Sequence, residues 1–190
     1  VISGAGDEEK QKQAMESLEN HLIDIESGII KLLDPPFEKG NLEPGYIKAY
    51  VPGVRENGGQ YTHSAIWAII AEAILGKGDK AVELYKMITP IEHARTKEAT
   101  NKYKVEPYVI SADVYGAQNL AGSGGWTWYT GSSSWYYLAG VQYILGLNIY
   151  HNTMSFKPCI PKFWKSFGIK YKFGNSIYNI SVKNSEAKNT

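Results

Sequence analysis

The sequence is poor in the residues on which several protein classes depend. Its 190 residues include a single cysteine, Cys159, which excludes an internal disulfide framework and fits a reducing compartment. The net charge is only +1, whereas a nucleic-acid partner would require a basic stripe. No apolar run is long enough to span a bilayer and no signal-peptide pattern is present. We therefore expect a cytoplasmic protein without a nucleic-acid partner, although a longer parent chain can carry a membrane tether.

Short catalytic signatures are also absent. The sequence has no Walker loop, no Gly-x-Ser-x-Gly elbow and no Ser-His-Asp order. Its four histidines are scattered, which argues against a zinc site. We predict that the protein uses neither a metal ion nor an organic cofactor.

Aromatic residues, in contrast, are abundant. There are 14 tyrosines and 5 tryptophans, and many of them stand beside Gly, Ser and Thr instead of lying in apolar runs. Such residues either fill a tyrosine-rich interior or present their ring faces to the C–H groups of pyranose rings. Composition leaves both interpretations open.

Hydrophobic spacing predicts a mainly α-helical chain with a small C-terminal antiparallel β unit. Apolar residues recur every three or four positions in four segments: 8–24, 62–76, 79–87 and 131–145. Later in the chain the pattern alternates, and Gly174-Asn175 separates two strands as a hairpin turn. We predict a helical unit over residues 1–150 and a β unit over residues 151–190 with a frayed tail.

Two glycine-rich segments that precede predicted helices carry polar side chains. The first spans residues 52–63 and offers the following candidate contacts: Arg55, Glu56, Asn57, Gln60 and His63. Guanidinium, carboxylate and amide groups can bind sugar hydroxyls or an anion, and an anion beside His63 would gain from the start of a helix. The alternative is a polar loop before a capped helix, with His63 as a structural histidine.

The second segment spans residues 124–132 and contains Trp126, Trp128, Thr130 and Gly131. Its backbone N–H groups and threonine hydroxyl can hold phosphate. The alternative is an N-cap at Thr130 beside a tryptophan cluster. Between the two segments, Glu106 precedes a proline, which favours an extended conformation. It is either an ion-pair partner or a structural support, and we favour structural support.

Five stretches together resemble the C-terminal part of the carbohydrate phosphorylases of glycoside hydrolase family 94, a family that includes the phosphorylase-like domain of cyclic β-1,2-glucan synthases. The matching stretches are Leu33-Asp-Pro-Pro-Phe-Glu-Lys, Pro44-Gly-Tyr-Ile-Lys-Ala-Tyr, Arg55-Glu-Asn-Gly-Gly-Gln-Tyr-Thr-His, Tyr103-Lys-Val-Glu-Pro-Tyr-Val and Gly124-Gly-Trp-Thr-Trp-Tyr-Thr-Gly-Ser. Their order and spacing also fit the family, and the resemblance covers nearly the whole chain.

The resemblance implies a partial (α/α)6 barrel, completed by an N-terminal barrel half that this chain lacks. It implies cleavage of a β-glucosidic bond in a glucan oligosaccharide, with inorganic phosphate as co-substrate and α-glucose 1-phosphate as product. On this basis His63, Thr130 and Gly131 are expected to bind phosphate. The expected sugar contacts are Arg55, Glu56, Asn57, Gln60, Trp126 and Trp128.

Two departures from the family pattern refine this expectation. Arg55 stands where cellobiose and chitobiose phosphorylases have lysine, and with the Trp126-Thr-Trp128 segment this favours β-1,2-glucan chemistry. The family's general acid is an aspartate in a Trp-Asn-Asp-type motif that has no counterpart here, so we assign no catalytic residue and expect the isolated chain to be inactive. The rival interpretations are a non-catalytic carbohydrate-binding module and a structural or interaction domain.

Overall fold

The computed structural model describes residues 1–38 and 41–185. Its α-helices are α1 (Glu8–His21), α2 (Thr62–Ile74), α3 (Gly78–Met87), α4 (Pro90–His93), α5 (Lys97–Tyr103) and α6 (Ser132–Leu138). Its strands are β1 (Ile23–Asp24), β2 (Ile29–Ile30), β3 (Gln60–Tyr61), β4 (Asp113–Val114), β5 (Leu147–Tyr150), β6 (Thr153–Phe156), β7 (Ser166–Phe173) and β8 (Ser176–Lys183). None of the helices in these residues combines the length and apolarity needed to cross a bilayer.

The predicted fold class, a mainly α chain forming a partial (α/α)6 barrel, is wrong. Helices make up 36% and strands 20% of the structure, and the strands form four two-stranded antiparallel sheets. The physical reason lies in the two long connections, residues 31–59 and 104–131. Left-handed glycines such as Gly53, Gly58 and Gly122 bend these segments, and such residues disfavour continuous helix. The described residues are therefore a mixed α and β arrangement.

The main hydrophobic core lies where α2 packs against α3 and α6. Helix α2 buries Ile66, Ile69, Ile70 and Ala73, the stripe that their spacing predicts, and each large aliphatic side chain contributes about 1.5–3 kcal/mol on burial. Ile74 continues the spacing of this stripe, but it is the last residue of the helix and remains 44% exposed. This core fixes the direction in which α2 leaves the first glycine-rich segment.

Helix α6 is longer than its regular α-helical turns suggest, because it runs on into a π-helical segment, Ala139–Ile144. The Leu145 N–H donates to the carbonyl of Gly140 at 2.8 Å, five residues back, which is the π-helical spacing. Gly140 lies against the Tyr85 ring of α3, since an added Cβ would lie 2.8 Å from the hydroxyl oxygen and 3.2 Å from Cζ. The π-helical segment thus packs closely against α3.

The predicted hairpin near the end of the chain is confirmed. Strands β7 and β8 pair antiparallel with Phe173 opposite Ser176, so that Gly174 and Asn175 form a two-residue turn with Gly174 at φ +57°. Strands β5 and β6 form a second hairpin just before it. The frayed tail predicted for the chain end falls mostly on residues 186–190, which lie outside the described residues, and the division near residue 150 stays a prediction.

Candidate functional site

A short strand joins the two glycine-rich segments that the sequence singles out. We name residues 52–60 the polar loop and residues 124–130 the aromatic loop. Strand β4 pairs with β3 at the end of the polar loop, with Tyr61 opposite Asp113. Ala112, which directly precedes β4, donates its N–H to the carbonyl of Trp126 in the aromatic loop at 2.7 Å. The two loops are therefore held side by side although more than sixty residues of sequence separate them.

Two predicted sugar contacts of the polar loop are fully buried. The amide of Asn57 accepts from the Phe37 N–H at 2.7 Å and donates to the carbonyls of Phe37 and Tyr50 at 2.9 and 2.8 Å. The Gln60 amide oxygen accepts from the Ile30 N–H at 3.0 Å. Buried amides are stable only when bonded in this way, so both side chains hold the loop to the rest of the protein.

The other two predicted sugar contacts of the polar loop, Arg55 and Glu56, have polar side-chain atoms that no protein group binds. Arg55 adopts φ +49°, and its guanidinium lies 5.6 Å from the centroid of the Tyr50 ring. Glu56 accepts a long hydrogen bond, 3.5 Å, from the Tyr46 hydroxyl. Among the described residues, Arg55 Nε and Glu56 Oε2 are buried without a hydrogen-bond partner. Both residues are only partly buried as a whole, so their side chains can still reach a polar ligand.

The aromatic loop presents its rings to solvent. Trp126 is 57% exposed and Tyr129 is 98% exposed, and Trp128 and Tyr129 adopt φ +61° and +46°. The Trp128 indole N–H donates to the Glu106 carboxylate at 3.1 Å. The backbone N–H of Glu106 and then this indole lower the pKa of the Glu106 carboxyl. Glu106 therefore supports the indole of Trp128 as a charged acceptor.

The predicted phosphate contacts meet where the aromatic loop ends and α6 begins. His63 lies in the first turn of α2, and its Nε2 is next to Gly131, since a Cβ added to that glycine would lie 3.3 Å away. The imidazole stacks on the Tyr61 ring with the centroids 5.4 Å apart. Its Nδ1 is buried and has no hydrogen-bond partner among the described residues. The structure thus brings His63 to the backbone that follows Thr130.

Thr130 shares its hydroxyl with the start of α6. Its Oγ1 accepts from the Ser132 N–H at 3.2 Å and lies 2.8 Å from the Ser132 hydroxyl. If Ser132 donates in that pair, the Thr130 proton is left to donate to a ligand. Ser132 is fully buried, so the arrangement is fixed from the protein side. A hydroxyl, an imidazole and backbone N–H groups together suit an anion with several oxygens.

Comparison with known proteins decides the family. A family model described as "Glycosyl hydrolase 94 superfamily, catalytic domain" matches residues 1–146. The chain belongs to the glycosyl hydrolase 94 superfamily. It is 44% identical over 182 residues to the cyclic β-(1,2)-glucan synthase NdvB of Rhizobium meliloti (strain 1021), an alignment that covers 96% of this chain and 6% of that protein.

Two disaccharide phosphorylases are also similar to this member of the superfamily. The chain is 32% identical over 185 residues to the N,N'-diacetylchitobiose phosphorylase of Vibrio proteolyticus, covering 97% of the chain and 22% of the relative. It is 30% identical over 185 residues to the solabiose phosphorylase of Paenibacillus borealis, covering 97% and 23%. The chain thus spans less than a quarter of the length of each relative, and the resemblance drawn from the sequence motifs is confirmed.

The sequence patterns of this superfamily member do not point to Asp113, Ser132 or Tyr61. Asp113 is the only Asp, Glu, Lys or Arg between Glu106 and Lys157 in the sequence. A single charged residue in so long an uncharged segment indicates a charge that is buried and hydrogen-bonded. Ser132 directly follows the threonine and glycine assigned to phosphate. Tyr61 has no local signal, because its stacking on His63 depends on how α2 begins.

Proposed function

We propose that this chain supplies the phosphate and sugar contacts of an inverting glycoside phosphorylase, or of the phosphorylase-like domain of a β-1,2-glucan synthase. The observation that carries the proposal is the approach of His63 Nε2 to Gly131, the residue that follows Thr130 in the chain. This approach supports a shared role for the residues at the starts of α2 and α6. The superfamily, whose relatives include phosphorylases and a glucan synthase by name, supports the same chemistry.

Inorganic phosphate fits this cluster on chemical grounds. It is already anionic near neutral pH, so it needs to be positioned and does not need a base to deprotonate it. In our proposal the His63 imidazole, the Thr130 hydroxyl and the Gly131 N–H hold it below the anomeric carbon. Phosphate oxygen then bonds to that carbon while the glycosidic bond breaks, and α-glucose 1-phosphate leaves with inverted configuration.

The sugar side of the proposal uses the side chains that have polar atoms or ring faces to offer. Glu56 and Arg55 would bind hydroxyls of the glucosyl unit, and Trp126 and Trp128 would cover its C–H face. We assign Asn57 and Gln60 to support of the polar loop, because the protein backbone already occupies their amides. The preference for a β-1,2 linkage remains part of the proposal.

The leaving oxygen needs a proton from a general acid. We expect that acid to come from another part of the longer protein, because the relatives extend far beyond the aligned region. Half-exposed rings such as Trp67 and Trp135, which contact each other edge to face at 5.8 Å, offer a surface for that part to cover. Neither a metal ion nor a cofactor enters the proposed reaction.

The test is phosphorolysis of β-1,2-glucooligosaccharides by the full-length protein, with release of glucose 1-phosphate as the measurement. His63→Ala and Thr130→Ala each remove one phosphate contact, so the KM for phosphate should rise about tenfold or more. The KM for the oligosaccharide should change much less. His21→Ala is the matched control, since that histidine is exposed at the end of α1.

Two outcomes would contradict the proposal. Oligosaccharide binding that is tight, independent of phosphate and unaccompanied by glucose 1-phosphate would indicate a non-catalytic carbohydrate-binding module, which the exposed tryptophans could equally serve. Unchanged phosphate and sugar parameters in both variants would indicate a structural or interaction domain.

A further inference from the structure

Asp113 occupies a position that none of the proposed phosphate or sugar contacts uses. It is the first residue of β4, is 1% exposed, and lies between the polar and aromatic loops. Its main-chain carbonyl accepts from the Gly125 N–H at 2.9 Å, and its Oδ1 accepts from the Trp126 N–H at 3.0 Å. A carboxylate is a stronger acceptor than a neutral group, so this side chain fixes the beginning of the aromatic loop.

The aromatic loop is shaped to admit this carboxyl. A Cβ added to Gly125 would lie 2.6 Å from Cγ of Asp113, far inside van der Waals contact. Glycine is required at position 125 because the carboxyl fills the space that a side chain would need. The two residues therefore form a matched pair, and either can be changed to disturb the same contact.

The second carboxylate oxygen of Asp113 has no hydrogen-bond partner among the described residues. Asp113 Oδ2, Arg55 Nε and Glu56 Oε2 are all buried without a hydrogen-bond partner among the described residues. Burial raises the pKa of the Asp113 carboxyl, the Trp126 N–H and the Arg55 charge oppose the rise, and the Glu56 charge adds to it. Strand β4, which begins at Asp113, pairs with β3 at the end of the polar loop, the loop that carries Arg55 and Glu56. Unpartnered buried polar atoms are rare in native proteins, and a group of them needs a specific explanation.

We propose that Asp113 is a positioning residue of the sugar site, which fixes the backbone of Trp126 so that the Trp126 ring meets the glucosyl unit that Arg55 and Glu56 bind. It acts through Trp126, because its own burial keeps it from the sugar. The inference rests on the proposed function, since it takes sugar to be the ligand of these side chains. The phosphate cluster at His63 and Thr130 is not part of its action.

Asp113→Asn and Asp113→Leu in the full-length protein separate the hydrogen bond from side-chain volume. Asparagine keeps an acceptor for the Trp126 N–H, whereas leucine has a similar size and no acceptor. We expect Asp113→Leu to raise the KM for β-1,2-glucooligosaccharide at least about tenfold, and Asp113→Asn to stay within about threefold of the natural protein. The KM for phosphate should change less than about twofold in both.

Gly125→Ala provides a second route to the same contact, should Asp113→Leu fail to fold. It should raise the KM for oligosaccharide and leave the KM for phosphate in place. A further readout is the ¹⁹F resonance of 5-fluorotryptophan at position 126, assigned by its loss in Trp126→Phe. That resonance should shift in Asp113→Leu and Gly125→Ala and remain in place in Asp113→Asn.

Three results would overturn the inference. The first is an Asp113→Asn variant whose KM for oligosaccharide rises as much as that of Asp113→Leu. The second is a rise of both KM values in parallel with a loss of thermal stability, and the third is a ¹⁹F resonance of residue 126 that does not shift in Asp113→Leu or Gly125→Ala. Failure of the proposed function has a different signature. In that case His63→Ala leaves the KM for phosphate unchanged, whatever the substitutions at Asp113 and Gly125 do to oligosaccharide.

Discussion

The polar loop and the aromatic loop both lead into a helix, yet they use their side chains in opposite ways. The polar loop turns Asn57 and Gln60 inward, where their amides bind backbone groups from Ile30 and Phe37. The aromatic loop turns its rings outward, up to the 98% exposure of Tyr129. The polar loop is therefore anchored in the protein interior, whereas the aromatic loop forms an exposed surface next to it.

The difference shows that residue type alone does not distinguish a ligand contact from a support. Amides are typical sugar contacts, but here they hold a loop that carries the contacts Arg55 and Glu56. Backbone strain points the same way, because the left-handed non-glycine residues include Arg55, Trp128 and Tyr129. Such conformations cost of order 1–3 kcal/mol each and tend to occur at functional sites. We call the polar loop together with β4 the frame, because it keeps these residues in place.

The largest expected effect comes from breaking the frame at Gly53. This glycine has φ +84°, and an added Cβ would lie 2.7 Å from the carbonyl carbon of Gly116 and closer still to the backbone of Ala117. Gly53→Ala combines a left-handed alanine with a backbone collision, so we expect a loss of about 3 kcal/mol or more of unfolding free energy. Urea denaturation measures it.

Gly45 supplies the matched control outside the frame. Its φ is +72° and a Cβ would meet nothing within 4 Å, so Gly45→Ala should cost only about 1–2 kcal/mol for the backbone conformation. Equal losses at the two positions would mean that the frame is not tightly packed at Gly53, and the contrast between the loops would lose its basis.

A smaller loss of unfolding free energy is expected at low pH, from protonation of the buried residue His93. His93 stacks on Tyr103 with the ring centroids 4.9 Å apart, and the Tyr103 hydroxyl lies 2.8 Å from the Ser111 hydroxyl. Burial, with the Lys102 charge adding to it, lowers the pKa of His93 from 6.5 to about 4. The folded protein therefore keeps this imidazole neutral at pH values where the unfolded chain protonates it.

The sign of the pH effect follows from proton linkage. Because the unfolded chain binds the extra proton between pH 6.5 and about 4, stability is full above that window and falls as the pH is lowered through it, by about 2–3 kcal/mol. Urea denaturation at several pH values would measure the slope, and His93→Phe, which keeps a ring on Tyr103, should flatten it. Parallel curves for the two proteins would contradict the prediction.

What the sequence could predict was local. The isoleucine spacing of α2 and the Gly174-Asn175 turn each depend on a few neighbouring residues, and both elements are present as expected. The fold class was wrong because the connections pair over long separations, as β3 does with β4.

The same limit applies to the site. Periodicity and motif order found both loops, but the fate of the Asn57 amide depends on Phe37, twenty residues away. Asp113 was passed over for a related reason. The role proposed for Asp113 depends on the absence of a side chain at Gly125 and on the contact between two loops that meet only in the folded protein.

The smallest expected change in unfolding free energy comes from a substitution in the aromatic loop, at Tyr129. Tyr129→Ala removes a ring that is almost wholly exposed and keeps the left-handed backbone, so the unfolding free energy should change by no more than about 0.5 kcal/mol. Tyr103→Ala is the buried counterpart, with 2% exposure, and should cost about 3–5 kcal/mol because it leaves a cavity next to His93. Thermal and urea denaturation of the two variants under one set of conditions give both values. A loss at Tyr129 comparable to that at Tyr103 would mean that the aromatic loop is packed against protein and is not free to receive a sugar.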